Sequence, residues 1–335
     1  MNRVLAATLK RPPGGYFDAS ALHHALAALV AEGLDQLPRP GTGRTLERWR
    51  CLAWVAGQDL GLCKLYEGHT DALAIMAELA ALQPAPNTTW GMWAAEPPSA
   101  RLSVRHHQGR YWLDGRKAWC SGASQLSHAL LTAWDEGGEQ QLVAVALRQP
   151  GVTVTDLGWD AVGMAATGSV EVLFEQAEGT PVGAPGQYIA RPGFWQGGIG
   201  IAACWYGAAQ QLAQRLHGHC LQRDDPHALA HLGAVDTALA AMRAVLQQAA
   251  STIDTAPTDD CQWLARRARA VIEHGCEQVL GHVGRALGAS PYCKDGHFAR
   301  LAADLPVFLR QSHAERDLAA LGELTRHALS SEWNL

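Results

Sequence analysis

Along residues 20–82 the apolar positions recur at helical spacing. Leu22, Leu26, Leu29 and Val30 follow Ser20. Leu46, Trp49, Leu52, Ala53 and Ala56 form a second stripe, and residues 69–82 a third. "QPAPNTT" then interrupts the pattern. Between Trp90 and Gly186 the period changes to alternation. "RLSVRHHQGRYWLDGRKAWC" alternates, with Gln108-Gly109 and Asp114-Gly115 as turn signals, and "HALLTAWDEGGEQQLVAVAL" reads as strand, turn and strand. "GVTVTDL" and "GSVEVLFE" add two more. About seven short, closely spaced strands predict an antiparallel barrel or sandwich rather than a doubly wound sheet. After Arg191-Pro192-Gly193 helical spacing returns over 195–221, 227–253, 260–287 and 305–329, with Leu229, Leu232, Leu239, Met242 and Leu246 along one stripe. Long helices in series predict a bundle. The chain reads as an α+β multidomain protein. Residues 1–88 form an N-terminal helical domain, 89–188 a central antiparallel β domain (barrel or sandwich), and 189–335 a C-terminal four-helix bundle.

Composition adds three expectations. With 335 residues and 48% hydrophobic content the chain can bury a large core, while 18% charged residues and 12 Trp leave little polar surface. That balance points to buried subunit contacts, and the fold as read would assemble through its bundle as a homodimer or homotetramer. A net charge of −5 without a basic block argues against nucleic acid and anionic membranes as partners. The eight Cys contain no C-x-x-C and sit in apolar surroundings, as reduced thiols of a cytoplasmic protein do. The start reads as no signal peptide, and no run reaches the roughly 18 uninterrupted apolar residues of a membrane span.

Chemistry-bearing patterns are few. "GGIGIAA" fits the loose fingerprint G-x-G-x-x-A at Gly198, Gly200 and Ala203, but "RPGFWQ" precedes it where the fingerprint requires a strand. Close helix packing is the better reading. The adjacent pairs His23-His24 and His106-His107 point apart and chelate no common metal, so no metal site is expected. Cys120 in "RKAWCSGAS" is a nucleophile only if a base or helix N-terminus lowers its pKa. An inert Cys is the expectation.

Taken together, four segments resemble the acyl-CoA dehydrogenase family. "AAEPPSA" at 94–100 resembles the family's stretch ending in Thr-Glu-Pro. "LDGRKAWCSGAS" at 113–124 resembles its G-x-K-x-W-I-T-N-G. "GWDAVGMAATGSVEVLFEQA" at 158–177 resembles its G-x-R-x-S…V-x-F strand pair, and "PVGAPGQY" with the following helix resembles its crossover into the bundle. The resemblance spans most of the chain in the same order. It implies a flavoenzyme that binds FAD and oxidises the CH–CH group of an acyl substrate, a CoA thioester among the options. Trp119 then walls the isoalloxazine, Ser121 takes the family's Thr position near N5, and Cys120 contributes backbone. The family's other Thr falls on Ala95, so Ala94 and Ala95 offer N–H groups only.

Two departures matter. The family's Arg-x-x-Phe-Gly, which helps bind FAD, corresponds to "CLQRDDPHALAHLG". Cys220 takes the Arg position, Arg223 is the nearby substitute, and Asp224 and Asp225 would repel a pyrophosphate. The family's catalytic Glu falls on Gln311 or Ser312 of "DLPVFLRQSHAERDLAALG". Neither takes a proton near neutral pH, so Glu315 or His313 is the candidate catalytic residue. The bland alternative for "RQSHAERD" is a solvated helix face with local ion pairs. Glu315 as base fits dehydrogenation. His313 fits a flavin-dependent monooxygenase of the same fold. A catalytically degenerate binding or assembly subunit is the third reading.

Overall fold

The computed structural model describes residues 2–9, 12, 15–79, 83–327 and 333–334. It divides into two compact units. The first comprises Met1–Leu37 with Gln58–Phe194, the second Pro38–Gly57 with Trp195–Leu335.

The first unit joins helices α1 (Asn2–Thr8), α2 (Ala19–Ala31) and α4 (Leu60–Glu78) to seven strands and the short α5 (Gln187–Ala190). Asp18 starts α2 by accepting the Ala21 N–H at 2.8 Å, two residues before the expected Ser20. The helix buries Leu22, Leu26 and Leu29, as the spacing predicts. α4 begins at Leu60, where Asp59 accepts the Leu62 N–H at 3.0 Å, nine residues before the predicted stripe at 69. The end of that stripe, residues 80–82, lies outside the described residues. α4 is buried almost all round, so no amphipathic stripe marks its first half. Its His69 is locked between two partners. Nδ1 accepts the Trp90 N–H at 3.2 Å, which leaves the proton on Nε2 to donate to Asp35 Oδ2 at 3.1 Å.

The strands are β1 (Trp90–Trp93), β2 (Leu102–His107), β3 (Arg110–Cys120), β4 (His128–Trp134), β5 (Gln140–Ala146), β6 (Val152–Val154) and β7 (Val170–Val182). β4, β2, β3, β7 and β5 pair in that order, and β5 returns to β4, closing a five-strand barrel-like sheet. β6 adds to β7, and β1 adds to β4 in parallel, from Trp90↔His128 to Trp93↔Leu131. The sheet is therefore antiparallel apart from β1–β4 and the single parallel pair Ser103↔Trp134. Gln108 and Gly109 both take positive φ and form the two-residue hairpin between β2 and β3. Asp114-Gly115 forms no turn. It makes a bulge inside β3, where Gly115 at φ 123° leaves no room for a Cβ against the Arg101 carbonyl.

The second unit holds α3 (Thr45–Gln58), most of α6 (Pro192–Cys220), α7 (Pro226–Thr255), α8 (Gln262–Leu287), α9 (Ser290–Lys294), α10 (Gly296–Leu309) and α11 (Glu315–Arg326). Asp254 of α7 seals the start of α3. It accepts the Thr45 hydroxyl at 2.6 Å and the N–H groups of Gly43 and Thr45 at 3.0 Å. α3 and α6 touch so closely that a Cβ on Gly207 would collide with the Ala53 carbonyl. "GGIGIAA" lies within α6 with no strand before it.

Two sequence expectations change here. In α7 the buried residues include Val235, Ala238, Met242 and Leu246, while Leu229 stays exposed and Leu232 and Leu239 half-buried. α7 is also long and apolar enough by length and composition to cross a membrane, with 22% of its most apolar window buried. Alanine supplies much of that apolarity, and Asp236 and Arg243 interrupt it, so a search for unbroken apolar runs passes it over. The predicted helix 305–329 divides into α10 and α11, and residues 328–329 lie outside the described residues. Ala314, at φ 45°, breaks the helix, and Asp317 restarts it by accepting the His313 N–H at 3.0 Å.

Candidate functional site

Apart from Arg223, two clusters hold the candidate residues, one in each unit. In the first unit they gather where β1 and β3 end. Strand β3 finishes on a bulge that puts Trp119 at φ 57° with 51% of its surface exposed. Ala118 and Cys120 on either side are buried. Cys120 is fully buried, and burial pushes its thiol pKa well up, so it holds a neutral thiol pointed at the Lys117 carbonyl 3.3 Å away. Its part is structural. Ser121 is buried too, and its carbonyl accepts the Trp93 indole N–H at 3.2 Å, tying the end of β3 to the end of β1. Ala94 and Ala95 follow Trp93 directly and are half-buried.

The Ser121 hydroxyl enters a chain. Ser121 Oγ lies 2.7 Å from Ser169 Oγ, which lies 2.7 Å from Thr167 Oγ1, which donates to the Met164 carbonyl at 2.7 Å. A backbone bond from Gly122 N–H to the Thr167 carbonyl at 2.8 Å holds the two segments together. A Cβ at Gly122 would sit 2.7 Å from Leu65, so the chain runs directly over α4 there.

Two residues before Trp119, Lys117 makes an ion pair that sequence reasoning missed. Lys117 has a 1% exposed side chain and uses its three ammonium protons on Glu96 Oε1 (2.5 Å), Thr132 O (2.7 Å) and Thr132 Oγ1 (2.8 Å). Glu96 accepts in addition from Thr132 Oγ1 at 2.5 Å and from Trp134 Nε1 at 3.0 Å. Burial pulls the Lys117 pKa down, and the Glu96 charge opposes that pull. The pair fastens "AAEPPSA" to "RKAWCSGAS". The available signal was one acid in the first motif and one base in the second.

In the second unit a cavity of about 230 Å³ is lined by Trp195, Arg266, Arg269, Ser312, Glu315 and Asp317, among others. Glu315 opens α11 and is exposed, while His313 stands beside the cavity with a 64% exposed side chain. The ion pairs of "RQSHAERD" are local in part, His313 lying 3.7 Å from Asp317, and otherwise reach across to α8. Arg310 meets Glu273 at 2.7 Å and Glu277 at 3.0 Å, and Asp317 meets Arg266 at 2.9 Å. Burial works to raise the Asp317 pKa, but the His313 N–H and the charges of His313, Arg266 and Arg269 hold it below its ordinary value. Gln311 is half-buried, and its carbonyl accepts from Arg269 at 3.1 Å. Arg223 lies on the exposed turn between α6 and α7, next to Asp224 and Asp225, the latter capping α7 through the His227 N–H at 2.9 Å. This turn offers an anion two carboxylates for one guanidinium. Among the described residues no group of three or more His, Cys, Asp or Glu is placed to hold a metal ion.

No family model matches the chain. It is 26% identical over 207 residues to a probable FMNH2-dependent monooxygenase, SfnC, of Pseudomonas putida, covering 56% of this chain and 50% of that protein. It is 30% identical over 227 residues to L-evernosamine nitrososynthase of a Micromonospora species, covering 62% of this chain and 53% of that protein. The chain thus spans about half the length of the curated relatives it matches. Among solved structures it superposes on KijD3 in complex with FMN and dTDP-3-amino-2,3,6-trideoxy-4-keto-3-methyl-D-glucose. The TM-score is 0.76 at 19% identity, over 97% of this chain and 90% of that one. That likeness shows a shared fold, and the resemblance to acyl-CoA dehydrogenases holds at this coarse level. The expectation of FAD is overturned. The structural neighbour holds FMN, and the Pseudomonas relative is named for FMNH2. The turn around Arg223, where the resemblance puts an aid to FAD, agrees with that correction. The longer cofactor needs a seat for its adenosine pyrophosphate, and the acidic turn around Arg223 is unsuited to one.

Proposed function

We propose that this chain is an FMN-dependent oxidoreductase, a monooxygenase acting on a small organic molecule. The observation that carries the reading is the end of β3. A half-exposed indole, Trp119, stands on a strand end held by the Lys117–Glu96 pair, two residues from the hydrogen-bonded hydroxyl of Ser121. A flat apolar wall beside a single polar point suits the face and edge of an isoalloxazine. Reduced FMN, when bound, supplies two electrons and two protons, so that O₂ gives one oxygen to the substrate and one to water. The chain's own residues position the ring and screen it from solvent. The relatives favour oxygenation over dehydrogenation of an acyl thioester, and so does "RQSHAERD". By the resemblance, Gln311 or Ser312 takes the place of the dehydrogenase base, and Glu315, the next carboxylate along the sequence, is solvent-exposed. His313 and Glu315 remain the groups for proton handling, His313 in the oxygenase reading and Glu315 in the dehydrogenase one.

The test is anaerobic titration of the purified protein with FMN and FAD, followed by O₂ consumption with added FMNH2. FMN should bind more tightly than FAD. Trp119→Ala should weaken it about tenfold or more, the usual loss when a stacked aromatic is removed. Binding of neither flavin, or tighter binding of FAD, sinks the reading.

A further inference from the structure

We infer that His231 of α7 and His282 of α8 form a site for a divalent transition-metal ion that takes its ligands at right angles, the class of Ni(II) and Cu(II). The inference does not rest on the flavin reading and concerns a different part of the chain.

The two imidazoles meet across the helix pair, near the start of α7 and near the end of α8. Their Nδ1 atoms face each other at 2.9 Å, with the rings tilted by 54°. Both residues are half-buried, so solvent and its ions reach them. Without a metal, one Nδ1 carries a proton and donates it to the lone pair of the other. A metal ion needs both lone pairs. Each neutral ring supplies one by keeping its single proton on Nε2, with no change in charge. Local spacing hides this meeting, because the two residues are 51 positions apart in sequence.

The separation selects the kind of metal. Metal–nitrogen bonds are about 2.0–2.1 Å long. Two of them at a right angle put the nitrogens about 2.9 Å apart, whereas the tetrahedral angle needs about 3.3 Å. The observed 2.9 Å therefore fits neighbouring positions of a square-planar or octahedral ion without moving either helix. Zinc in its usual tetrahedral form would have to spread them.

His227 adds a third nitrogen. It lies one turn before His231 in α7. Side chains four apart in a helix share a face, and that spacing lets two His of one helix bind one metal. His227 is exposed, so its side chain can turn toward the pair. Among the described residues no three such groups are already gathered. As it stands the site is a two-nitrogen chelate, with its other positions left to water and to His227. A bound ion ties α7 to α8 only in the folded chain, so it stabilises the fold by mass action.

The experiment titrates NiCl2 into the whole chain, stripped of metal by EDTA and dialysis, and reads the heat of binding and the thermal midpoint. The wild type should bind one Ni(II), and its midpoint should rise with nickel concentration. His231→Gln and His282→Gln should each weaken binding at least about tenfold, because losing a ligand costs no less than losing a ligand's own hydrogen-bond partner. His227→Gln should weaken it less. His106→Gln, in the exposed His pair of β2, should leave it unchanged. Each midpoint is compared with the same variant's metal-free value, which separates loss of the site from damage to the fold. Nickel affinity unchanged in both His231→Gln and His282→Gln marks the binding as adventitious and overturns the inference. So does a wild type that binds no nickel.

Discussion

Lys117 shows how a residue without a place in the chemistry can hold the site together. It is charged, has a 1% exposed side chain, and is fully bonded to Glu96 and Thr132. Removing Lys117 leaves the half-buried Glu96 carboxylate without its countercharge, which costs about 3 kcal/mol, the low end for a buried pair. Lys117→Met should therefore lower the urea midpoint sharply, and adding Glu96→Gln should recover part of the loss. A midpoint unchanged in the single variant would place the pair in solvent. At this scale the sequence pointed to the right stretch but not to its wiring. Trp119, Cys120 and Ser121 stand out because aromatic, thiol and hydroxyl are distinctive side chains. Glu96 with Lys117, and Ser121 with Ser169 and Thr167, meet only because β1, β3 and the start of β7 come together in three dimensions. No local spacing encodes that meeting.

Elements were legible where the period was clean and ambiguous where a single residue interrupts it. Asp114-Gly115 has the composition of a hairpin turn and makes a bulge, because β3 continues past it to pair with β7. The run 305–329 has one apolar period and contains two helices, because Ala314 takes a positive φ and Asp317 caps the restart. That restart carries a pH dependence. The Asp317 pKa is lower in the folded chain than in the unfolded one, so its ionised form stabilises the fold at neutral pH. The benefit shrinks as the pH falls through the carboxylate range, about 4 and below. Asp317→Asn should cost about 1 kcal/mol at pH 7, the usual loss of a capping carboxylate, and almost nothing in strong acid. Urea midpoints for both proteins at neutral and acid pH measure this. An equal difference at the two values would mean that the carboxylate's charge plays no part.

At the scale of the whole molecule, periodicity identifies a helix but not the helices it will join. α3 lies between α2 and α4 in sequence, and hydrophobic spacing alone would group the three. Yet Pro38–Gly57 belongs with the C-terminal helices, because Gly207 gives Ala53 room and Asp254 seals Thr45. Gly207→Ala should push α3 and α6 apart and cost about 1–3 kcal/mol, the range for overpacking, measured as a fall in thermal midpoint. No change would show that the two helices can separate freely. The Asp254 contact also sets an order of events on the ribosome. Residues 45 and 254 are 209 positions apart. At the usual synthesis rate of about 5–20 residues per second, α3 has to wait roughly 10–40 s for the carboxylate that completes its first turn. Trp49 and Leu52 lie against Gly200 of α6, so they lack that cover for the first part of the interval. A nascent chain of this protein therefore carries uncovered apolar side chains, the kind of surface that holding chaperones bind, well before its last helix is made.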